Sequence, residues 1–418
     1  MHVRWCCTTF LAIGLVGGGF ALAGELTFAA YDIGNLGCDE VTVAYDINDF
    51  GVVVGLGGAG PCPPDGGHGL AWFNGVMTDL TATSDGAPFS AVWGISRDGT
   101  VVATGLGGEH VVFVRDGVGI EIDPPPGWEQ NSYPRGINES GTMIVGSCWS
   151  PGNGMHAPAV YWTEDGSAVA IDLLPDMPEG SSAGAYDVND SGVVVGYNSY
   201  GVDGSRGFIW AGGVVTELVN TLLEGGHLGA YAISNSGFVA GAADTPDGHR
   251  AIRYDMNTGE MIALGSGVAE DVNDRGDAVG FAFTSRGVHA MLYKDGEAID
   301  LDPWLPEYMT GTDAFAINRY GWIVGEAYHF NPDQYWGWLL VPIYDKGDYD
   351  GDGDVDLQDS GHFQRCFAAD RYIDGTLHVG CSVFDFDDDV DLDLDDYAAF
   401  QSAFTGPTAP NLNPNGPG

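Results

Sequence analysis

One pattern recurs seven times along this chain, and it narrows the possible folds more than any other feature. Its core is an apolar residue, Asn or Ser, two variable residues and Gly, followed by an apolar run. It reads INDFGVVVG at Ile47, ISRDGTVVATG at Ile95, INESGTMIVG at Ile137 and VNDSGVVVG at Val188. It returns as ISNSGFVAG at Ile233, VNDRGDAVG at Val272 and INRYGWIVG at Ile317. Successive anchors lie 48, 42, 51, 45, 39 and 45 residues apart. A period of roughly 40–50 residues suits a β-propeller blade of four strands.

Each unit divides into four short strands. In the first they are VAYDI, GVVVG, GLAWF and VMTDL. The first turn is the Asn-x-x-Gly step, where Gly51 can take a positive φ and Asn48 can bond the turn backbone. Asn74-Gly75 marks a tight hairpin. The ends fit a ring. Phe28–Gly37 (FAAYDIGNLG) reads as the last strand of a unit, whereas the seventh unit ends at WGWLLVPIYD without one. An N-terminal strand that completes the last blade leaves no open sheet edge. The expected fold is therefore mainly β: a seven-unit β-propeller-like domain over residues 24–344, with an open β-solenoid as the alternative, and then a small helical EF-hand module over residues 345–405.

Gly occurs 66 times and charged residues make up 17% of the 418, which fits short strands and tight turns. Asp and Glu number 59 against 14 Lys and Arg, a formal charge of −45. Such a chain repels nucleic acid and anionic lipid, and cations are its natural partners. His68, His110, His156, His249 and His289 each stand just before the third strand of a unit. Recurrence once per unit assigns them to the hydrogen bonding of the blade rather than to catalysis. Trp72, Tyr161, Trp162, Trp210, Tyr254, Tyr293 and Trp338 of the third strands read as core. No nucleophile elbow, zinc-protease helix or phosphate-binding glycine loop is present, and no residue is assigned a catalytic role. The competing enzyme reading, a polysaccharide hydrolase or lyase, needs acids or bases that converge on the propeller face and break the repeat. The irregular loops Gly60–Gly67 and Pro151–Met155 are the places to seek them.

The first residues carry His2 and Arg4, then an apolar stretch from Phe10 to Ala23 ending in Ala21-Leu22-Ala23. This is the pattern of a secretory signal cleaved after Ala23. The stretch is too short and Gly-rich for a membrane span, and no second one follows. Export permits disulfides. Cys366 and Cys381 are expected to pair, Cys38–Cys62 is a second candidate pair, and Cys148 is the odd thiol.

After Tyr344 the composition changes. Residues 345–396 hold 17 acidic side chains and, as bases, only Lys346, Arg365 and Arg371. DYDGDGDVDLQD (Asp348–Asp359) and DFDDDVDLDLDD (Asp385–Asp396) align at an offset of 37, as do Phe363-Gln364 with Phe400-Gln401. The spacing is that of a twelve-position calcium loop, with oxygen side chains at positions 1, 3, 5, 9 and 12 and a carbonyl at 7. The first loop offers Asp348, Asp350, Asp352, Asp356 and Asp359, with the carbonyl of Asp354. The second offers Asp385, Asp387, Asp389, Asp393 and Asp396, with the carbonyl of Asp391. Gly353 holds the sharp turn at position 6 of the first loop, but Val390 stands there in the second, so the second Ca2+ site is expected to be weaker. Val355 and Leu392, at position 8, are placed to pair across the loops. Each loop runs into a short helix whose Phe pair, Phe363/Phe367 or Phe400/Phe404, shares one face. The tail Gly406–Gly418 reads as disordered.

On these motifs residues from about 25 to 344 resemble the HAF-type extracellular repeats, with their I-N-x-x-G-x-V-x-G and His-Ala-x-x-Trp patterns. That resemblance implies a secreted propeller-like array and no particular activity. The C-terminal duplication resembles a type I dockerin. That resemblance implies calcium-dependent docking onto a cohesin-like partner, often in polysaccharide catabolism. Leu357-Gln358 and Leu394-Asp395 stand at the partner-selecting positions 10 and 11, where the family carries Ser or Thr. The chain thus reads as a secreted calcium-binding protein for extracellular binding and assembly, its propeller facing a glycan or an extracellular protein.

Overall fold

The computed structural model describes residues 26–36, 41–58, 67–106, 110–128, 131–149, 158–178, 180–200, 204–330, 333–368 and 377–405. The expected signal segment, the tail, Cys38, Cys62 and His156 lie outside them. Seven sheets of four antiparallel strands, one of them extended by a short parallel strand at Asp85–Gly86, follow one another around a ring, which makes the domain a seven-bladed propeller. The innermost strands are Thr42–Ile47, Phe89–Ile95, Asn131–Ile137, Ser182–Val188, Leu228–Ile233, Val268–Val272 and Thr312–Ile317. Blades are numbered 1 to 7 in that order. The ring closes as expected, because Phe28–Asp32 runs antiparallel to Asp333–Pro342 and supplies the outer strand of blade 7.

The repeated turn does two jobs. Asn48 Oδ1 accepts from the Phe50 and Val52 N–H groups, which fixes the turn. Gly51 sits at φ 76°, and a Cβ there would meet Trp322 at 2.6 Å. The Asn48 Nδ2 then donates to the Ser96 carbonyl of blade 2. The same bond joins Asn189 to Ser234, Asn273 to Asn318, and Asn318 back to Asn48. The motif therefore ties blade to blade as well as strand to strand.

Apolar residues fill the spaces between blades. Trp162, Phe208, Phe89 and Trp338 are fully buried there. Trp72 and Tyr293 are buried as expected. Tyr161, Trp210 and Tyr254 are only half-buried, packing at the margins of the apolar clusters, where Tyr161 and Trp210 pair at 4.9 Å.

Past Pro342 the chain leaves the sheet. Two helices, Leu357–Ala368 and Leu394–Ala403, pack around Val355, Phe363, Phe384 and Phe400. Phe363 and Phe400 stack at 4.8 Å. Phe367 and Phe404 share the expected faces but remain about two-fifths exposed. Cys366 and Cys381 form the expected disulfide, and Cys148 is a buried free thiol. No described helix is long and apolar enough to cross a membrane.

Candidate metal centres and the central channel

The two acidic loops fold alike. In the first, Asp348 accepts from the N–H groups of Gly351 and Gly353 at 2.7 and 3.1 Å. Asp359 accepts from Tyr349 and Asp356 at 2.7 and 2.8 Å, and Asp352 from Asp354. In the second, Asp385 accepts from Asp389 and Val390, Asp396 from Phe386 and Asp393, and Asp389 from Asp391. Position 12 is nearly inaccessible in both. These bonds leave the remaining carboxylate oxygens facing one another.

Oxygens of Asp348, Asp350 and Asp359 lie within 4.8 Å of each other, as do those of Asp354, Asp356 and Asp359, and of Asp385, Asp387 and Asp396. Asp350 Oδ1 is buried without a hydrogen-bond partner. Burial, followed by like charges, pushes Asp348 and Asp350 up to about 6. An all-oxygen donor set that repels itself and holds an orphaned carboxylate oxygen fits a hard cation. The backbone at position 6 matches as well: Gly353 has φ 90° and Val390 φ 65°. Asp388, at position 4, takes φ 58° where the first loop has Gly351. The expected pairing of Val355 with Leu392 differs in the structure. Val355 exchanges backbone and hydroxyl bonds with Thr405 instead, while Leu392 only packs on the apolar cluster.

The module rests on the turn face of blades 7 and 1, a contact no sequence signal announced. Tyr349 packs against Tyr320 and Trp322 and stacks on His362 at 3.9 Å. Arg365 lies over Phe50, and Asn74 meets His378 at 2.5 Å. Arg275 of blade 6 donates to the carbonyl of Asp350 at 2.6 Å, so the propeller touches the first loop directly.

Along the axis, the turn end is polar. Asp49 pairs with Arg97 at 3.0 Å and with Arg319 at 3.5 Å, and Arg97 also bonds Glu139. They line a cavity of about 130 Å³. Deeper in, Asp46, Asp187 and Asp271 each accept from the next residue's N–H and from an N–H of the following blade: Ile95, Ile233 and Ile317. Burial pushes Asp46 up to about 7 and Asp271 to about 6, and Asp187 well above the usual range.

One layer further, every innermost strand carries a bulge. The extra residue turns to the axis. In blade order these are Tyr45, Trp93, Arg135, Tyr186, Tyr231, Glu270 and Phe315. Tyr45 stacks on Trp93 at 4.8 Å and meets Phe315 at 5.7 Å, while Tyr186 meets Tyr231 at 5.4 Å. Arg135 lies over both Trp93 and Tyr186. Sequence reading missed this ring. The signal was present, two residues before the apolar residue that opens each motif, but it becomes a ring only once the blades close.

The recurring histidines bond within their blades, as read from the sequence. His68 lies 2.7 Å from Asp79, His289 2.8 Å from Asp300 and His249 3.1 Å from Asp244. His289 also approaches Asp302, and His110 approaches Glu121 and Asp123. The irregular loops, residues 59–66 and 150–157, lie outside the described residues apart from Gly67 at the edge of the first.

No family model matches the chain, and no curated protein matches it. Solved structures match in fold. Virginiamycin B lyase from Staphylococcus aureus is 13% identical, covering 76% of this chain and 100% of that one, with a TM-score of 0.46. The β-propeller domain of the Trilobed protease from Pyrococcus furiosus is 13% identical over 71% and 96%, with a TM-score of 0.44. TolB from Acinetobacter baumannii is 12% identical, with a TM-score of 0.41. It covers 60% of this chain and 63% of its own, so this chain spans less than two thirds of that protein. At such distances no activity carries over from any of them.

Proposed function

We propose that the protein is a secreted calcium-binding protein for extracellular assembly. Its propeller is the ligand-binding scaffold, and its C-terminal module is a docking unit held folded by two calcium ions. The observation that carries this reading is the duplicated carboxylate cage, in which two loops share all but one of these backbone bonds and leave their free oxygens converging. Bound calcium supplies the positive charge that these oxygens lack, and the loops themselves orient the ligands. Leu357 and Leu394, at position 10 of the two loops, are 79% and 72% exposed, the most exposed large apolar side chains among the described residues. A paired apolar contact of this kind suits a protein partner of the cohesin type.

Calorimetric titration of the whole protein with calcium tests the first half. Two binding events support the reading, and no calcium-dependent heat sinks it. Binding of a cohesin-type module should need calcium and should be lost in the Leu357→Asp, Leu394→Asp double variant. Binding that ignores both changes rules out this docking surface.

A further inference from the structure

The bulge ring at the channel axis is unevenly filled. One arc is complete: Arg135 sits between Trp93 and Tyr186, 5.8 and 5.3 Å from their ring centres. The protein has thus placed a guanidinium of its own against these aromatic faces. The opposite arc, from Tyr231 to Phe315, holds Glu270 in place of an aromatic residue.

Beside it, blade 7 departs from the repeat. Asp313 and Glu326 stand directly opposite each other in the strand ladder. The matching pairs elsewhere are Val43 with Leu56, Tyr133 with Ser147, Gly184 with Tyr197, and Gly229 with Ala242. None of those pairs two acids, and like charges facing across a ladder are destabilising. Asp313 Oδ1 is buried and has no hydrogen-bond partner. Burial raises all three carboxyls, Glu270 and Glu326 to about 7 and Asp313 well above the usual range, where Glu270 and Glu326 add to the effect. The only described basic group that opposes any of these shifts is Arg135, and it acts on Glu270 alone.

We propose that this arc is a binding site for an organic cation, an alkylammonium or guanidinium group held between Tyr45, Phe315 and Tyr231 and paired with Glu270, Asp313 and Glu326. It mirrors the seat that Arg135 takes on the other arc. Asp313 and Glu326 face each other with no base beside them, a costly arrangement unless a ligand supplies the charge, and the flanking rings add cation–π attraction. A neutral sugar gains from the rings but leaves the charge uncompensated. The inference rests on the propeller as the ligand scaffold and is independent of calcium in the module.

The test uses the full-length, calcium-loaded protein at constant ionic strength. Choline chloride is titrated while tryptophan fluorescence and heat are followed, against its uncharged isostere 3,3-dimethylbutan-1-ol and against cellobiose. Choline should bind at least about tenfold more tightly than the isostere. Asp313→Asn and Glu326→Gln should each weaken it about tenfold or more, and Arg135→Gln should tighten it, because that change removes a repelling charge. A merely structural effect would weaken all three variants, and thermal melts identify any that fail to fold. Equal binding of the isostere, preferential binding of cellobiose, or an Arg135→Gln variant that folds but binds choline less well overturns the proposal. So does a choline titration without response. Calcium titration of the same samples reads the module separately, so its failure is distinct from this one.

Discussion

The propeller axis and the C-terminal loops both hold aspartates that accept two backbone N–H bonds, yet the two regions use them differently. Asp46, Asp187 and Asp271 spend one oxygen on their own strand and the other on the next blade, and Asp or Glu is absent at this position in the other four blades. In the loops the same bonding aligns the carboxylates so that their remaining lone pairs converge within 4.8 Å. One arrangement is complete without a ligand. The other leaves converging oxygens of the kind that a hard cation fits. Acid content therefore says little by itself, and what decides is where the unused lone pairs point.

The sharpest way to break this contrast is to remove the cation. Chelation, or Asp348→Ala in the first loop, should unfold the module while leaving the propeller intact, since binding and folding are coupled in such loops. Circular dichroism should show loss of helix with the β signal unchanged. Loss of both together would mean that the contacts of Tyr349 and Arg275 make one cooperative unit. In the propeller, Asp187→Ala strands the N–H groups of Val188 and Ile233 and should cost ~2–4 kcal/mol. Asp187→Asn keeps an acceptor and should cost less. Urea melts that rank the two variants in the opposite order would reject the stitch.

Acidity sharpens the comparison further. The axial carboxyls have folded values raised to about 6 and 7 for Asp271 and Asp46, and well above the usual range for Asp187, against an unfolded value of about 4. Between these limits the native state binds more protons than the unfolded one, so propeller stability should fall as pH rises through that window. The calcium-loaded module should do the reverse, because its ligands bind the ion only when deprotonated. Calorimetric melts at about pH 5 and about pH 8 should move the two transitions in opposite directions. Parallel movement contradicts the assignment.

Much of this architecture was legible in the chain. The Asn-x-x-Gly period named the blades, and the orphan strand at Phe28 named the closure. The loop spacing singled out twelve loop aspartates, and the structure draws Asp348, Asp350, Asp354, Asp356 and Asp359, and Asp385, Asp387 and Asp396, into clusters. What stayed hidden depends on contacts between distant segments. Tyr45 and Trp93 look like ordinary strand aromatics until two blades meet. Asp313 and Glu326 are thirteen residues apart and oppose each other only through the ladder register. The seat of the module on Tyr320 and Trp322 was equally silent, since those residues read as part of the seventh turn. Val355 was expected to face Leu392 by the internal symmetry, and the chain after the second helix took that place through Thr405.

The smallest predicted effect compares one loop with the other. At position 6 both loops take a positive φ, 90° at Gly353 and 65° at Val390. Glycine adopts this region without steric cost, whereas a β-branched residue is an outlier there. The strain is on the order of 1–3 kcal/mol, equivalent to as much as about a hundredfold in affinity. Asp388 works against that difference by adding a negative charge to the second loop, although its carboxylate is engaged by Lys346 at 2.8 Å on an exposed surface. Val390→Gly should therefore tighten the weaker calcium site and leave the site at Asp348 unchanged. A Val390→Ala variant keeps a Cβ but loses the branching, and it should fall between the two. Calorimetric titration that finds two equal sites, unmoved by Val390→Gly, would show that the loops absorb the strain elsewhere and that the backbone at position 6 does not set the affinity.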